Sequence, residues 1–256
     1  MRVKLLPSST EVESQRQALT TFLINDRVAI DGGSIGFALT PAEMPSIRHI
    51  IVTHAHSDHT ASLPIFVAEA FTGLDGPVNI YGLPEVISAL RDFVFNDQIW
   101  PNFEKIELLS GGPAIAFHSL EPRETLEISG LRVTPIPVNH IVPTAGLLVE
   151  DGAVSVMFTA DTYTTGEIWR VAKESDRLKA IFVDVSYPNE LESLAASSKH
   201  FTPHSLESDL KKLDREDVDV YAVHIKPTNR EQVILQLGEL RRPPVLVAEI
   251  GHVYEW

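Results

Sequence analysis

"IIVTHAHSDHT", residues 50 to 60, runs from an apolar start straight into three histidines and an aspartate. The chain has only 10 histidines, so the crowding of His54, His56 and His59 around Asp58 is not how histidines scatter over a polar surface. The apolar residues of "IRHIIV" read as a buried strand, and the histidines fall on the loop beyond its end. Imidazole nitrogens and carboxylate oxygens are the donors that Zn²⁺ and similar first-row ions take. A lone histidine at a strand end is most often structural, but here the placement recurs. His140 ends "LRVTPIPVNH", Asp161 follows "VSVMFTA" and His224 ends "VDVYAVH". Donors delivered from several strand ends can converge on two metals.

The elements around these donors alternate strand and helix. "TTFLIND" and "RVAIDGG" read as a hairpin about Asn25-Asp26. "ASLPIFVAEAF" reads as a helix, "PVNIYG" as a strand, and "LPEVISALRDFVF" as a helix opened by Pro84. "NDQIWPNFEKIELL" is irregular and aromatic. "LEISGLRVTPIPVNH" is strand, turn, strand, and "TAGLLVEDGAVSVMFTADT" is a hairpin about Asp151-Gly152. Then come a helix in "TGEIWRVAKESDRL", a strand in "KAIFVDVSY", and a helix capped by Thr202 with Pro203 at its first position. "VDVYAVHIKP" is a strand, and "NREQVILQLGEL" and "PVLVAEIGHVYEW" give a last helix and a last strand. The expectation is one α/β domain over residues 1–256, with two strand-rich halves and helices outside.

Composition narrows the function classes. The 256 residues carry a formal charge of −14, which disfavours a long polyanionic partner such as RNA or DNA. A small anion is still allowed, because a bound metal can dominate the local charge. With no cysteine, no thiolate can bind metal or act as nucleophile, and no disulfide forms. The N-terminal "MRVKLLPSSTEVESQRQ" has a two-leucine run before Pro7, short of a secretory apolar region, and no stretch approaches the about 18 apolar residues of a membrane span. A cytoplasmic location is the default expectation.

"THAHSDH", His140, "TADT" and "VHIKP", in that order, resemble the metallo-β-lactamase superfamily over essentially the whole chain. The resemblance implies an αββα sandwich with a two-metal site at one edge. It assigns His54, His56 and His140 to one ion and Asp58, His59 and His224 to the other, with Asp161 bridging. Asp31 in "AIDGG" matches an early aspartate that supports the ligands. The ions are expected to be two divalent metals, zinc first, with manganese or iron as alternatives. "FVFNDQIWPNF", "VDVSYPNELESLA", "SSKHFTPHSL" and "HIKP" look similar to class II cyclic-nucleotide phosphodiesterases. That similarity implies hydrolysis of a 3′,5′-cyclic nucleotide, cyclic AMP to 5′-AMP, by a metal-bridging hydroxide with Asp58 in the machinery.

The 3′-oxygen that leaves needs a proton. Asp184 and, sixteen residues on, His200 are ordered like the acid and histidine of transfer-RNA 3′-processing relatives. His200 is therefore expected to be the general acid, and Asp184 to orient and charge its ring. The blander reading makes His200 a helix-entry residue. Trp100 and Phe103 are offered as walls of a base pocket, against the commoner role of aromatics in a core. Lys226 could meet a phosphate oxygen or simply be solvated. His49, His118, His204 and His252 lack ligand context. The expected partner is a small cyclic nucleotide, and a homodimer is left open. The alternatives are an RNA 3′-end phosphodiesterase, a lactone or thioester hydrolase, and a binding module that has kept the fold.

Overall fold

A computed structural model describes residues 1–8, 15–241 and 243–256; residues 9–14 of the N-terminal segment "MRVKLLPSSTEVESQRQ" lie outside the described residues. In chain order the strands are β1 (Arg2–Leu5), β2 (Phe22–Ile24), β3 (Val28–Ile30), β4 (His49–Ile51), β5 (Val78–Gly82) and β6 (Ile115–Ser119). There follow β7 (Leu126–Ile128), β8 (Leu131–Pro137), β9 (Ala145–Glu150), β10 (Ser155–Phe158), β11 (Leu178–Asp184), β12 (Asp219–Val223), β13 (Val245–Val247) and β14 (Val253–Glu255). They form two sheets, ordered β14-β1-β2-β3-β4-β5-β6 and β13-β12-β11-β10-β9-β8-β7.

Side-chain alternation explains why the sheets stack with helices outside. In β4, Ile50 packs with Phe66 and Val67 of the helix Leu63–Ala70, while the next residue, Ile51, turns to the core between the sheets. In β11, Ile181 and Val183 face Trp169 and Leu206 of the helices Glu167–Glu174 and Pro203–Leu210, while Ala180 and Phe182 face inward. Strands apolar on both faces are buried from both sides, which is the αββα sandwich.

Parallel pairing positions the site. β3 to β6 pair in parallel, as do β10 to β13, and helices such as Pro84–Phe93 and Arg230–Leu237 make the crossovers. Their carboxyl ends reach one edge of the sandwich, where open α/β sheets commonly bind ligands.

The Asn25-Asp26 hairpin forms, with both residues at positive φ, and β9 pairs antiparallel with β10. Thr202 caps its helix, its hydroxyl accepting from the Ser205 N–H. The expectation for the C-terminal segment fails. "PVLVAEIGHVYEW" is two strands in different sheets, β13 beside β12 and β14 beside β1, with Gly251 at φ +82° between them. Among the described residues no helix is long and apolar enough to cross a membrane.

Candidate metal centre

The quoted stretch leaves β4 and crosses to the helical turn Ser57–Thr60. His54 and His56 lie on the loop, whereas Asp58 and His59 ride the helical turn, one step further than the loop placement expected from sequence. Asp31 follows β3 directly, Asp161 lies just past β10, Asp184 ends β11 and His224 leaves β12. Three of these exits, at Asp31, Ala160 and His224, take positive φ, unusual for residues with a Cβ.

All seven named donors meet there. His54, His56, His140 and Asp161 offer ligand atoms within 4.8 Å of one another, and Asp58, His59 and His224 do the same. Asp161 stands between the groups: its Oδ2 is 3.6 Å from His54 Nε2 and 3.5 Å from His224 Nε2, and its Oδ1 is 3.4 Å from His59 Nε2. Asp58 Oδ2 lies 3.1 Å from His224 Nε2, and His140 Nε2 lies 3.2 Å from His56 Nδ1.

Electrostatics fit a cation site. Burial disfavours charge on His54, and with His59 beside it the ring pKa falls well below normal, leaving a neutral imidazole. Burial works against charge on His224 too, but Asp161, Asp184 and Asp58 outweigh it and push the ring up to about 9. Asp161 and Asp31 likewise raise His59 well above the ordinary range against the effect of its burial. Burial opposes ionisation of Asp58, yet its His224 hydrogen bond and nearby positive groups hold its carboxyl well below the usual range. Protons on His59 and His224 thus balance a nest of carboxylates. Among the described residues, His54 Nε2 and Asp161 Oδ2 are both buried and without a hydrogen-bond partner. Such buried polar atoms are rare and costly, and a cation between them would satisfy both. The donor set fits divalent metals.

Asp184 and His200 also come together, with His200 Nδ1 2.7 Å from Asp184 Oδ2. The His200 ring stacks on that of His224, centroids 5.4 Å apart. Asp161, Asp184, His200 and His224 would also pass as a donor group by distance alone. Lys226 Nζ reaches Asp58 Oδ2 at 3.2 Å and so borders the site.

The aromatic wall is a correction. Phe103 is buried in the core beneath the first sheet's helices, near Phe71 and Phe95, and Trp100 packs against the same cluster. Apolar contact claims Phe103, while Trp100 is half-buried at its border. A cleft of about 500 Å³ adjoins the site at His140, and its lining includes Ile141, Pro143, Pro84, Glu85 and Glu121. His204 is exposed, and His118 bonds Asn79 and stacks on Tyr81.

Sequence reasoning missed Thr53 and Ser186. Thr53 Oγ1 lies 3.0 Å from His54 Nδ1 and 3.0 Å from Asp31 Oδ2; Ser186 Oγ lies 2.9 Å from His224 Nδ1 and donates to Asp184 Oδ1 at 2.8 Å. The available signal was adjacency: Thr53 precedes His54, and Ser186 follows Asp184 by two residues.

A sandwich of two mixed sheets with this ligand edge defines a metallohydrolase class. The family model described as "Beta-lactamase superfamily domain" matches residues 30–225, and the chain belongs to that family. It is 27% identical over 208 residues to a probable 3′,5′-cyclic-nucleotide phosphodiesterase of Yersinia pestis, covering 72% of this chain and 58% of that protein. It is 33% identical over 95 residues to a 3′,5′-cyclic-nucleotide phosphodiesterase of Schizosaccharomyces pombe, covering 37% of this chain and 25% of that one. The chain therefore spans less than two thirds of the length of either relative. An endoribonuclease of Schizosaccharomyces pombe, ysh1, is 24% identical over 127 residues, covering 46% and 16%. Among solved structures, unliganded yeast PDE1 superposes with TM-score 0.79 at 18% identity over 98% of both chains, a likeness of fold.

Proposed function

We propose that the chain is a two-metal phosphodiesterase that hydrolyses 3′,5′-cyclic nucleotides, cyclic AMP to 5′-AMP foremost. The observation that carries this reading is the Asp184–His200 pair, 2.7 Å apart and set against the donor cluster. A hydrolase that expelled only good leaving groups would have little use for it. The phosphodiesterase names of two relatives support the same choice.

In this reading His54, His56 and His140 hold one ion, Asp58, His59 and His224 the other, and Asp161 serves both. Zinc is the first choice, with manganese or iron as alternatives. Divalent ions held there supply Lewis acidity at the phosphoryl oxygens and lower the pKa of a water. The residues supply the rest. Asp184 accepts the His200 Nδ1–H, which leaves Nε2 to carry the proton for the departing 3′-oxygen. As the phosphorus–O3′ bond breaks, that proton passes from Nε2 to the 3′-oxygen, and the 5′-ester stays intact. Lys226, beside Asp58, meets a phosphoryl oxygen. The cleft at His140 takes the base, a role that Phe103, buried in the core, does not fill. The reading carries with it one hydrolase domain, a small-molecule substrate and a cytoplasmic location.

RNA-end cleavage is the second reading, favoured by the similarity to the ysh1 endoribonuclease. The charge of −14 weighs against it. The test is a hydrolysis panel of cyclic AMP, cyclic GMP, 2′,3′-cyclic nucleotides, a precursor transfer RNA and a lactone, run on the metal-loaded protein. Turnover of 3′,5′-cyclic nucleotides to 5′-monophosphates is expected. Efficient cleavage of the RNA with cyclic nucleotides untouched would replace the first reading by the second.

A further inference from the structure

Two buried carboxylates behind the donor cluster are wired alike. Asp31 takes one histidine directly, the Nδ1–H of His59 at 2.7 Å, and a second through a hydroxyl. His54 Nδ1 lies 3.0 Å from Thr53 Oγ1, which lies 3.0 Å from Asp31 Oδ2. Asp184 repeats the pattern. It takes His200 directly at 2.7 Å, and His224 through Ser186, whose Oγ lies 2.9 Å from His224 Nδ1 and 2.8 Å from Asp184 Oδ1. Thr53, Ser186, Asp31 and Asp184 are all buried, so water does not compete for these bonds.

We propose that Thr53 and Ser186 are positioning residues, each a hydroxyl relay that fixes the tautomer and ring direction of one metal-ligating histidine in each of the two ion sites. This rests on the two-metal reading above. A hydroxyl has one proton to give. The charged acceptor within its reach is a carboxylate oxygen, Asp31 at 3.0 Å in one case and Asp184 at 2.8 Å in the other. Each oxygen is then left to accept, and it accepts the Nδ1–H of its histidine. A neutral imidazole with its proton held on Nδ1 presents a lone pair at Nε2, and it is the Nε2 atoms of His54 and His224 that face Asp161 at 3.6 and 3.5 Å. Without the hydroxyl, His54 Nδ1 has no acceptor among the described residues and His224 Nδ1 has only Asp184 Oδ1, 3.7 Å away and beyond hydrogen-bond reach, so the tautomer with the proton on Nε2, useless to a cation, gains ground. Thr53 serves His54, and Ser186 serves His224, which the proposed function assigns to different ions.

The experiment measures ion affinity rather than turnover. Wild type, Thr53→Val and Ser186→Ala are stripped and titrated with Zn²⁺ against a competing chelator, and the spectrum is followed in parallel titrations with Co²⁺. Each variant is expected to lose affinity in one of two binding steps by roughly 10–100-fold, as outer partners of metal-bound histidines typically do. The conservative variants Thr53→Ser and Ser186→Thr keep the hydroxyl and are expected to keep the affinity. The pair Thr53→Val with Ser186→Ala is expected to weaken both steps. Wild-type affinity in both hydroxyl-free variants would overturn the proposal, and so would equal losses in the conservative ones, which would point to packing. A pair no worse than either single change would overturn the assignment of one relay to each ion. Failure of the wild type to bind two ions would remove the two-metal reading itself, and is thereby told apart.

Discussion

At the scale of single residues, the sharpest test lies at His200. If it protonates the leaving oxygen, its loss hurts esters in proportion to how badly the leaving group needs a proton. His200→Ala is expected to slow cyclic AMP hydrolysis by about 10²–10⁴-fold while largely sparing bis-p-nitrophenyl phosphate. Asp184→Asn should give a weaker version, since it only orients the ring. Comparable losses on both substrates with ions retained would make His200 a binding residue. Ion uptake supplies a second test. With no ion bound, Asp161, Asp184 and Asp58 push the His224 ring up to about 9 against its burial, so below that pH the ring holds a proton that a cation must displace. Ion binding at pH 7 should therefore release protons, and affinity should climb with pH until about 9. Calorimetry in buffers of different ionisation enthalpy measures the release; none at pH 7 would contradict the charge balance described. The donor set was legible in sequence because His54, His56, Asp58, His59, His140, Asp161 and His224 each stand at the end of a recognisable apolar run. Thr53 and Ser186 were not, because a hydroxyl residue carries no sign of the carboxylate it will meet. Sheet pairing decides that.

At the scale of elements, the strand exits carry strain. Ala160, at φ 54°, forces a left-handed turn between β10 and Asp161, a conformation that costs an L-residue about 1–2 kcal/mol. Glycine there removes that cost but adds about 0.5–1 kcal/mol of lost chain entropy. Ala160→Gly is expected to raise stability by up to about 1 kcal/mol, and to loosen the hold on Asp161, weakening ion affinity. Urea melts and chelator titrations read the two effects, and a destabilised variant would show that the turn is not strained. Elements themselves were readable where periodicity and caps agreed, as in the helix behind Thr202. The C-terminal segment was misread because alternation in "VLVAEIGHVYEW" says that residues face a core, not which sheet edge they join. Gly251 was the overlooked break. Phe103 was misassigned for a related reason: in irregular chain an aromatic has no periodicity to declare its side.

At the scale of the molecule, the sheets meet through Phe22, Phe158 and Phe182, rings packed about 5 Å centre to centre. Phe182→Ala is expected to cost about 3–5 kcal/mol, read by denaturant unfolding, and a cost under about 1 kcal/mol would mean that this interlayer contact is not tightly packed. The donors are split between the same layers. His54, His56, Asp58 and His59 come from the first sheet, and His140, Asp161 and His224 from the second. An ion shared by His59 and His224 would be a cross-link between residues 165 apart in sequence, one that a chelator can cut and a salt solution can mend. A permanent tie closing a loop of even about 100 residues can be worth several kcal/mol, and a ligand that favours only the folded chain adds to stability with its concentration. The melting temperature of such a protein becomes a gauge of its metal supply. Scarcity would then shorten the lifetime of the molecule as well as idle its chemistry.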